Sequence, residues 1–136
     1  MEELLNVCKT MLDNADLDIA IKVPNSTIIL DFVVGGSLEN VVIYCDNYTR
    51  LRIAKSVDDD RCFFVGETHI EIITSETKLR EFYSEDGWLS IGDTKVSPMF
   101  RVRCDGSIML DIVCGALAWK INDGEFQDIP LPAIAS

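Results

Sequence analysis

Hydrophobic and polar positions follow two different periods in the first part of the chain. Over Glu2–Asn14, apolar residues recur at spacings of three and four, which predicts a helix with a single apolar stripe. Over Leu17–Val23, apolar and polar residues alternate, which predicts a strand whose buried face carries Leu17, Ile19, Ile21 and Val23. A helix this short is marginal in water, so we expect it to pack on the strands that follow.

Turn residues separate further strand signals in the next part of the chain. Strands are predicted, in chain order, over 27–34, 41–45, 51–53 and 62–73. The strand at 27–34 is apolar enough to be covered on both faces. Asp46-Asn47 predicts a turn between two of these strands, and Gly66 predicts a bulge within the last one.

The second half of the chain begins with another helical signal. Ser75–Ser84 predicts a short helix, in which Ser75 is the N-cap and Leu79, Phe82 and Tyr83 share one face. Strands are predicted after it over 88–91 and 96–104, followed by a tight hairpin at Asp105-Gly106. We interpret Ile108–Ile121 as two strand pieces broken near Gly115, and a helix is the alternative for this apolar segment.

Together these elements predict one α+β domain over residues 1–136. A helix at 2–14 precedes antiparallel strands within 17–74, a short helix lies at 75–84, and further antiparallel strands lie within 88–129. The tail at 130–136 contains two prolines that interrupt strand pairing. About eight sequential strands have to cover their edges, so we expect an antiparallel curved sheet or a partial barrel.

Composition narrows the classes of protein that fit this fold. The 136 residues carry a net charge of −11, which disfavours binding to nucleic acid or to an anionic membrane. No stretch approaches the roughly 20 apolar residues of a membrane-spanning helix. The chain starts Met1-Glu2-Glu3, whereas a secretory signal starts with basic residues, so we expect a cytoplasmic protein. The five scattered cysteines, an odd number without a CxxC pair, indicate reduced and mostly buried thiols.

Two pairs of arginines stand out against this acidic background. Arg50 with Arg52, and Arg101 with Arg103, are two residues apart, so each pair lies on one face of its strand. One hypothesis is a small basic patch formed by both pairs. The other is that ordinary strand alternation turns these arginines to solvent, opposite apolar neighbours such as Leu51 and Val102.

Candidate chemistry is sparse, because the chain contains one histidine and no motif for nucleophilic or phosphate-binding chemistry. Glu67, His69 and Glu71 alternate on one strand face, where they form either a divalent metal site or an ordinary polar surface. Consecutive same-face residues are about 6.6 Å apart, which is awkward for three ligands of one ion. We therefore predict no metal and no cofactor. If the protein is an enzyme, its candidate residues are Glu67, His69 and Asp111.

Three functional hypotheses follow from these observations. The leading one is a non-catalytic acidic protein-binding module, such as an adaptor, a chaperone-like protein or an immunity or inhibitor protein. Its partner is expected to be another protein or a second copy of the chain. The first alternative is a carrier that holds a small molecule or lipid inside the curved sheet. The second alternative is a small enzyme that uses the three residues named above.

Overall fold

A computed structural model describes residues 1–10, 12, 15–34, 39–55, 63–85 and 96–133. The helices are α1 (Glu2–Thr10) and α2 (Glu76–Glu85). The strands are β1 (Ala15–Lys22), β2 (Thr27–Val34), β3 (Glu39–Lys55), β4 (Phe63–Ile73), β5 (Met99–Gly106), β6 (Ile108–Ile121) and β7 (Gln127–Asp128). A 3-10 turn at Val23–Asn25 joins β1 to β2. The predicted α+β class, rich in antiparallel strands, is confirmed.

The sheet curves until its strands form a ring. Neighbouring strands follow the order β3-β2-β1-β4-β5-β6-β7, and β3 also pairs with β6, so β1 to β6 are connected in a closed circle. Contact between β1 and β4 is brief, from Ala15 opposite Val65 to Leu17 opposite Phe63. Beyond Val65, α1 packs against β4. The predicted curved sheet or partial barrel is therefore confirmed, with a helix beside its shortest junction.

Alternate side chains of every strand point into the ring and form the core. The largest fully buried side chains of the strands are Ile28, Leu30, Phe32, Val41, Ile43, Val65, Phe100, Ile108 and Ile112. From the N-terminal segment, Leu4 and Leu12 join the same core. Because a small barrel leaves an interior about as wide as its own side chains, these inward residues pack against one another as a hydrophobic core.

Two strands are longer than the sequence predicts. Val41–Cys45 and the region of Leu51 and Ile53 belong to one strand, β3, and the predicted turn at Asp46-Asn47 is wrong. Asn47 instead takes a left-handed conformation (φ 54°) inside the strand, and the pairing with β6 shifts register between Tyr48 and Arg50. The turn-forming residues thus produce a bulge rather than a reversal.

The same bulge explains the continuity of β6. The predicted break near Gly115 and the alternative helix are both wrong, because Ile108–Ile121 is a single strand paired along its length with β3. A Cβ atom on Gly115 would lie 3.4 Å from the Cβ of Asn47. The irregularity predicted at Gly115 in β6 therefore occurs in the partner strand β3, beside Asn47.

Helix α1 ends earlier than its apolar stripe predicts. The backbone N–H of Leu12 donates to the carbonyl of Val7, five residues back, so the regular α-helical pattern has ended by this point. Leu12 nevertheless remains fully buried. The apolar stripe thus correctly predicted which face of α1 is buried, but not the residue at which the helix ends. The strand predicted at 88–91 lies outside the described residues, and the short strand β7 was not predicted.

Burial of β1 and β2 differs from the prediction on the outer side of the sheet. Ile28, Leu30 and Phe32 are buried, whereas on the opposite face of β2 Thr27 is buried and Val33 is 42% exposed, so that face is covered only in part. Ile21 points inward yet is 44% exposed, because it lies near the end of β1, past the last residue of that strand paired with β4. The outer surface of β1 and β2 is therefore accessible.

Gly66 forms the bulge that the sequence predicts, between Val65 and Glu67. A Cβ atom at this position would lie 3.1 Å from the carbonyl oxygen of Asp105, a backbone atom that cannot rotate away. We expect Gly66→Ala to lower the free energy of unfolding by about 1–2 kcal/mol, measured by urea denaturation. Gly115→Ala is the control, since its nearest contact is at ordinary distance, and equal losses in both variants would contradict this explanation.

The C-terminal segment packs on the ring before it leaves the sheet. Ile129 is buried, and its N–H donates to the carbonyl of Leu117 at 3.0 Å. Pro130 and Pro132 follow, where strand pairing has ended. Within the described ranges, neither helix has the length and apolar character needed to cross a bilayer.

Candidate binding surfaces

Strand register brings the two arginine pairs together on the outer surface of the ring. Arg52 and Arg103 lie on either side of Asp111, because β6 pairs with β3 on one edge and with β5 on the other. In the next row, Arg50 and Arg101 flank Val113 in the same way. We call these four arginines the arginine cluster. The sequence predicted that the two arginines of each strand share a face, and the structure places both pairs on one surface, on either side of β6.

Helix α2 covers one half of the arginine cluster. Ser75 caps this helix as predicted, since its Oγ accepts from the N–H of Lys78 at 3.4 Å. The Phe82 ring lies between two guanidinium groups, 5.1 Å from that of Arg50 and 4.9 Å from that of Arg101. Arg50 also contacts Glu85 at 3.2 Å and is only 6% exposed, so the hypothesis that all four arginines face solvent is wrong.

Carboxylates neutralise much of the positive charge in this cluster. Arg101 donates two hydrogen bonds to Asp111, from Nε at 3.0 Å and from Nη2 at 3.1 Å. The hydrogen bonds that Arg101 donates to Asp111 are the largest influence that raises the pKa of Arg101. Glu71 lies 3.7 Å from Arg101 and 4.0 Å from Arg103. The surface is therefore a mixed ionic network rather than a basic patch.

A groove of about 360 Å³ continues this network beyond α2. Arg52 and Arg103 line its walls, and the exposed apolar side chains of Ile53 (44%) and Met109 (59%) lie beside them. Because Asp111 and Asp105 also line the groove, cations and carboxylates alternate along it. The groove consequently has no strong preference for either sign of charge.

Of the three candidate enzyme residues, the structure brings two together. His69 Nε2 lies 3.1 Å from Glu67 Oε2, in a groove of about 300 Å³ between α1 and β4. Asp111 is two strands away, since His69 pairs with Arg103 and Arg103 pairs with Asp111. More than half of each side chain in the Glu67–His69 pair is exposed to solvent. Glu67, His69 and Asp111 therefore do not form one site.

The possible metal set Glu67, His69 and Glu71 is also divided. Glu71 contacts Lys78 and Arg101 and is thereby drawn away from the imidazole. Among the residues that the structure describes, no group of three or more His, Cys, Asp or Glu side chains is placed to hold a metal ion.

Buried thiols occupy the opposite, inner side of the ring. Cys8, Cys45, Cys104 and Cys114 are free and buried, which agrees with the predicted reduced and buried thiols at these four positions. Burial raises the pKa of Cys8 and of Cys104 to about 12. A hydrogen bond to Cys114, followed by burial, raises the pKa of Cys45. Cys8 lines the groove beside His69, but its thiol stays protonated at neutral pH and is a poor nucleophile.

These thiols give stability a defined pH dependence. In the unfolded chain, Cys8 and Cys104 titrate near 9.0, whereas in the folded chain they stay protonated to about pH 12. Above pH 9 the unfolded state therefore loses protons first and is favoured, by at most about 1.4 kcal/mol per pH unit for each thiol. We expect urea unfolding between pH 8 and 11 to show this decline, with a smaller slope in Cys8→Ala/Cys104→Ala. Equal slopes would contradict the burial effect.

A second surface lies on the outer side of β1, β2 and the first half of β3. We call the part of it formed by Asp16, Asp18, Ile29, Asp31, Val33 and Tyr44 the acidic face, and Ala20 and Lys22 adjoin it on the same side of β1. Asp18 lies directly opposite Asp31 on the adjacent strand, and Val33 lies opposite Asp16. Asp31 accepts a hydrogen bond from Asn40 Nδ2 at 3.2 Å. Carboxylates and accessible apolar groups are thus combined on one sheet face.

Aromatic residues border the acidic face on the side of β6. The rings of Tyr44 and Phe126 pack edge to face at 4.6 Å, and Lys120 Nζ lies 4.7 Å from the centre of the Phe126 ring. Phe126 remains 44% exposed. The apolar area of the face therefore extends from Val33 toward a partly exposed aromatic pair.

The acidic face was not predicted from the sequence as a site. One signal was present, because Asp31 is the single charged residue of the otherwise apolar strand β2. Its partner Asp18 was not recognisable, since their contact depends on the register between β1 and β2.

The comparison of this chain with protein-family models gives no match, and the comparison with curated proteins gives none either.

Proposed function

We propose that this protein is a non-catalytic protein-binding module that contacts its partner through the acidic face. The observation that carries the proposal is the position of Asp18 opposite Asp31, beside the exposed side chain of Val33. Like charges directly opposite each other destabilise a sheet, and an exposed valine forgoes the free energy of burial. Both features cost stability in the free chain, and a complementary partner surface would offset both.

The packed interior supports this proposal over a carrier function. A carrier of a small molecule or lipid needs an apolar cavity of roughly 300 Å³ or more. The inward side chains of Phe32, Ile43, Phe100 and Ile112 are fully buried within the ring. Among the described residues, the grooves of about 300, 340 and 360 Å³ are each lined in part by exposed residues. The interior therefore acts as a hydrophobic core.

The separation of the candidate enzyme residues supports a non-catalytic role. General acid–base catalysis needs its groups within hydrogen-bond reach of one reacting centre. Glu67 and His69 meet this condition with each other, but Asp111 is held by Arg101 on the far side of β5. The Glu67–His69 pair is also open to water, which weakens electrostatic interactions.

Self-association through the acidic face is disfavoured by charge. Each copy carries a net charge of −11, and a two-fold contact at this face would place two sets of aspartates against each other. Another protein is therefore the partner that this surface fits better than a second copy. Sedimentation at micromolar concentration is expected to give the monomer mass of 15.2 kDa.

Affinity purification with matched variants tests the proposed function. Tagged wild-type protein and the variants Val33→Asp and Met109→Asp are expressed in the cells from which the chain originates. Both substitutions place one extra carboxylate at an exposed strand position, in the acidic face and in the groove of the arginine cluster respectively. We expect a stoichiometric protein partner with wild type and Met109→Asp, and its loss with Val33→Asp.

Two results would contradict the proposed function. Wild-type protein that purifies without any stoichiometric partner would remove the binding role. A partner that remains bound to Val33→Asp but is lost from Met109→Asp would place the contact at the arginine cluster instead. Thermal unfolding of both variants is the control for folding, and we expect each to remain folded because both positions are exposed.

A further inference from the structure

The acidic face has a regular pattern along β2. Ile29, Asp31 and Val33 point outward in succession, so an acidic side chain stands between two apolar ones. Residues on the same face of a strand are about 6.6–6.8 Å apart. Asp18 lies beside Asp31 and doubles the negative charge at the centre of this row. Along β2 the row therefore consists of an apolar, an acidic and an apolar side chain, and β1 adds a second carboxylate beside the acidic one.

A helix laid along β2 presents its side chains at nearly the spacing of this row. Side chains at positions i and i+4 of a helix are about 5–6 Å apart, close to the step along β2. Helices commonly cover the outer faces of sheets in α+β domains. Helix α2 already does so on the other side of this ring, where Leu79 packs in one cluster with Met99 and Val113. The acidic face instead leaves Val33 42% exposed.

Asp18 and Asp31 are the carboxylates of this face that a cation from a partner could neutralise. Within the described ranges, neither Asp18 nor Asp31 forms an ion pair with a basic side chain, and Asp31 accepts a neutral hydrogen bond from Asn40. Lys120, which lies at the border of the face, is stacked over the ring of Phe126. The net charge of −11 adds a long-range attraction for a basic partner.

From this pattern we infer, on the basis of the proposed function, that the acidic face binds a basic amphipathic helix of another protein. A Lys or Arg of that helix lies between the carboxylates of Asp18 and Asp31. Apolar residues one turn before and one turn after it pack on Val33 and Ile29. The partner is thereby recognised by an apolar–basic–apolar order at four-residue spacing.

The test is an NMR titration with synthetic helical peptides. The probe is an alanine-based peptide with leucine, lysine and leucine at positions i, i+4 and i+8, and the control peptide has glutamate in place of the lysine. Wild-type protein is compared with Asp18→Asn/Asp31→Asn and with Asp123→Asn/Glu125→Gln. The second double variant removes the same two charges from an exposed turn and so controls for net charge.

We expect the lysine peptide to shift the amide signals of β1 and β2 in wild-type protein, and the glutamate peptide to shift none of them. The affinity for the lysine peptide is expected to fall about tenfold in Asp18→Asn/Asp31→Asn and to change less than twofold in the control. Loss of folding does not explain such a fall, because removal of two opposed charges is expected to stabilise the sheet.

Other outcomes would overturn this inference without removing the proposed function. Equal weakening in both double variants would show attraction by net charge alone, and no shift up to millimolar lysine peptide would show that the face does not bind such a helix. A partner captured by wild type and lost from Val33→Asp would still support protein binding through this face, with different partner chemistry. If no partner is captured either, both proposals fail.

Discussion

Phe32→Ala is expected to lower the free energy of unfolding by about 3–5 kcal/mol. Phe32 lies at the centre of β2, points into the ring and is fully buried. Truncation to alanine removes the favourable free energy of burying the phenyl group and leaves a cavity. The surrounding strands cannot close this cavity, because β2 is paired with β1 on one edge and with β3 on the other. Urea denaturation at neutral pH measures the loss.

Phe126→Ala is the matched control for this prediction. It removes the same side chain from a position that is 44% exposed, so the expected loss is below about 1 kcal/mol. A small loss for Phe32→Ala, equal to that of the control, would show that the interior of the ring is loosely packed. In that case the carrier hypothesis would regain support.

Asp111→Ala is expected to cost about 2–3 kcal/mol in the free energy of unfolding. Arg101 donates two hydrogen bonds to this carboxylate, and each of the two side chains is only 19% exposed. Loss of the carboxylate leaves the guanidinium partly desolvated, with Glu71 at 3.7 Å as its remaining anionic contact within the described residues. Thermal or urea unfolding measures the effect.

Glu76→Ala provides the comparison for Asp111→Ala. Glu76 pairs with Arg80 at 2.9 Å on the surface of α2, where the two side chains are 51% and 32% exposed. Such an exposed pair contributes only about 0.3–0.5 kcal/mol. If both variants lose the same amount, the Arg101–Asp111 pair does not stabilise the fold more than an exposed surface pair does.

Local sequence signals correctly predicted the features that depend on a few adjacent residues. Gly66 forms the predicted bulge and Ser75 the predicted helix cap, because backbone conformation and capping are determined within one turn. Asp46-Asn47 misled the prediction, since the same residues suit both a chain reversal and a left-handed bulge. Only the length of the partner strand β6 distinguishes these outcomes.

Pairing between distant strands was not predictable in the same way. Closure of the ring depends on β3 with β6, and alternation along each strand says which face is buried but not which strand lies beside it. The acidic face has the same origin, because Asp18 and Asp31 become neighbours only through the β1–β2 register. The sequence thus showed a charge of −11 without showing where its carboxylates meet.

Hydrogen–deuterium exchange on the captured complex tests most directly whether the acidic face is the partner-binding surface. Free protein and complex are compared by mass spectrometry of peptides that cover β1 to β3 and, separately, β5 with the first half of β6. We predict slower exchange in the complex for peptides from Ala15–Lys22 and Thr27–Val34, and unchanged exchange for Met99–Gly106. Slower exchange confined to Met99–Gly106, with no change in β1 and β2, would contradict the proposed binding surface.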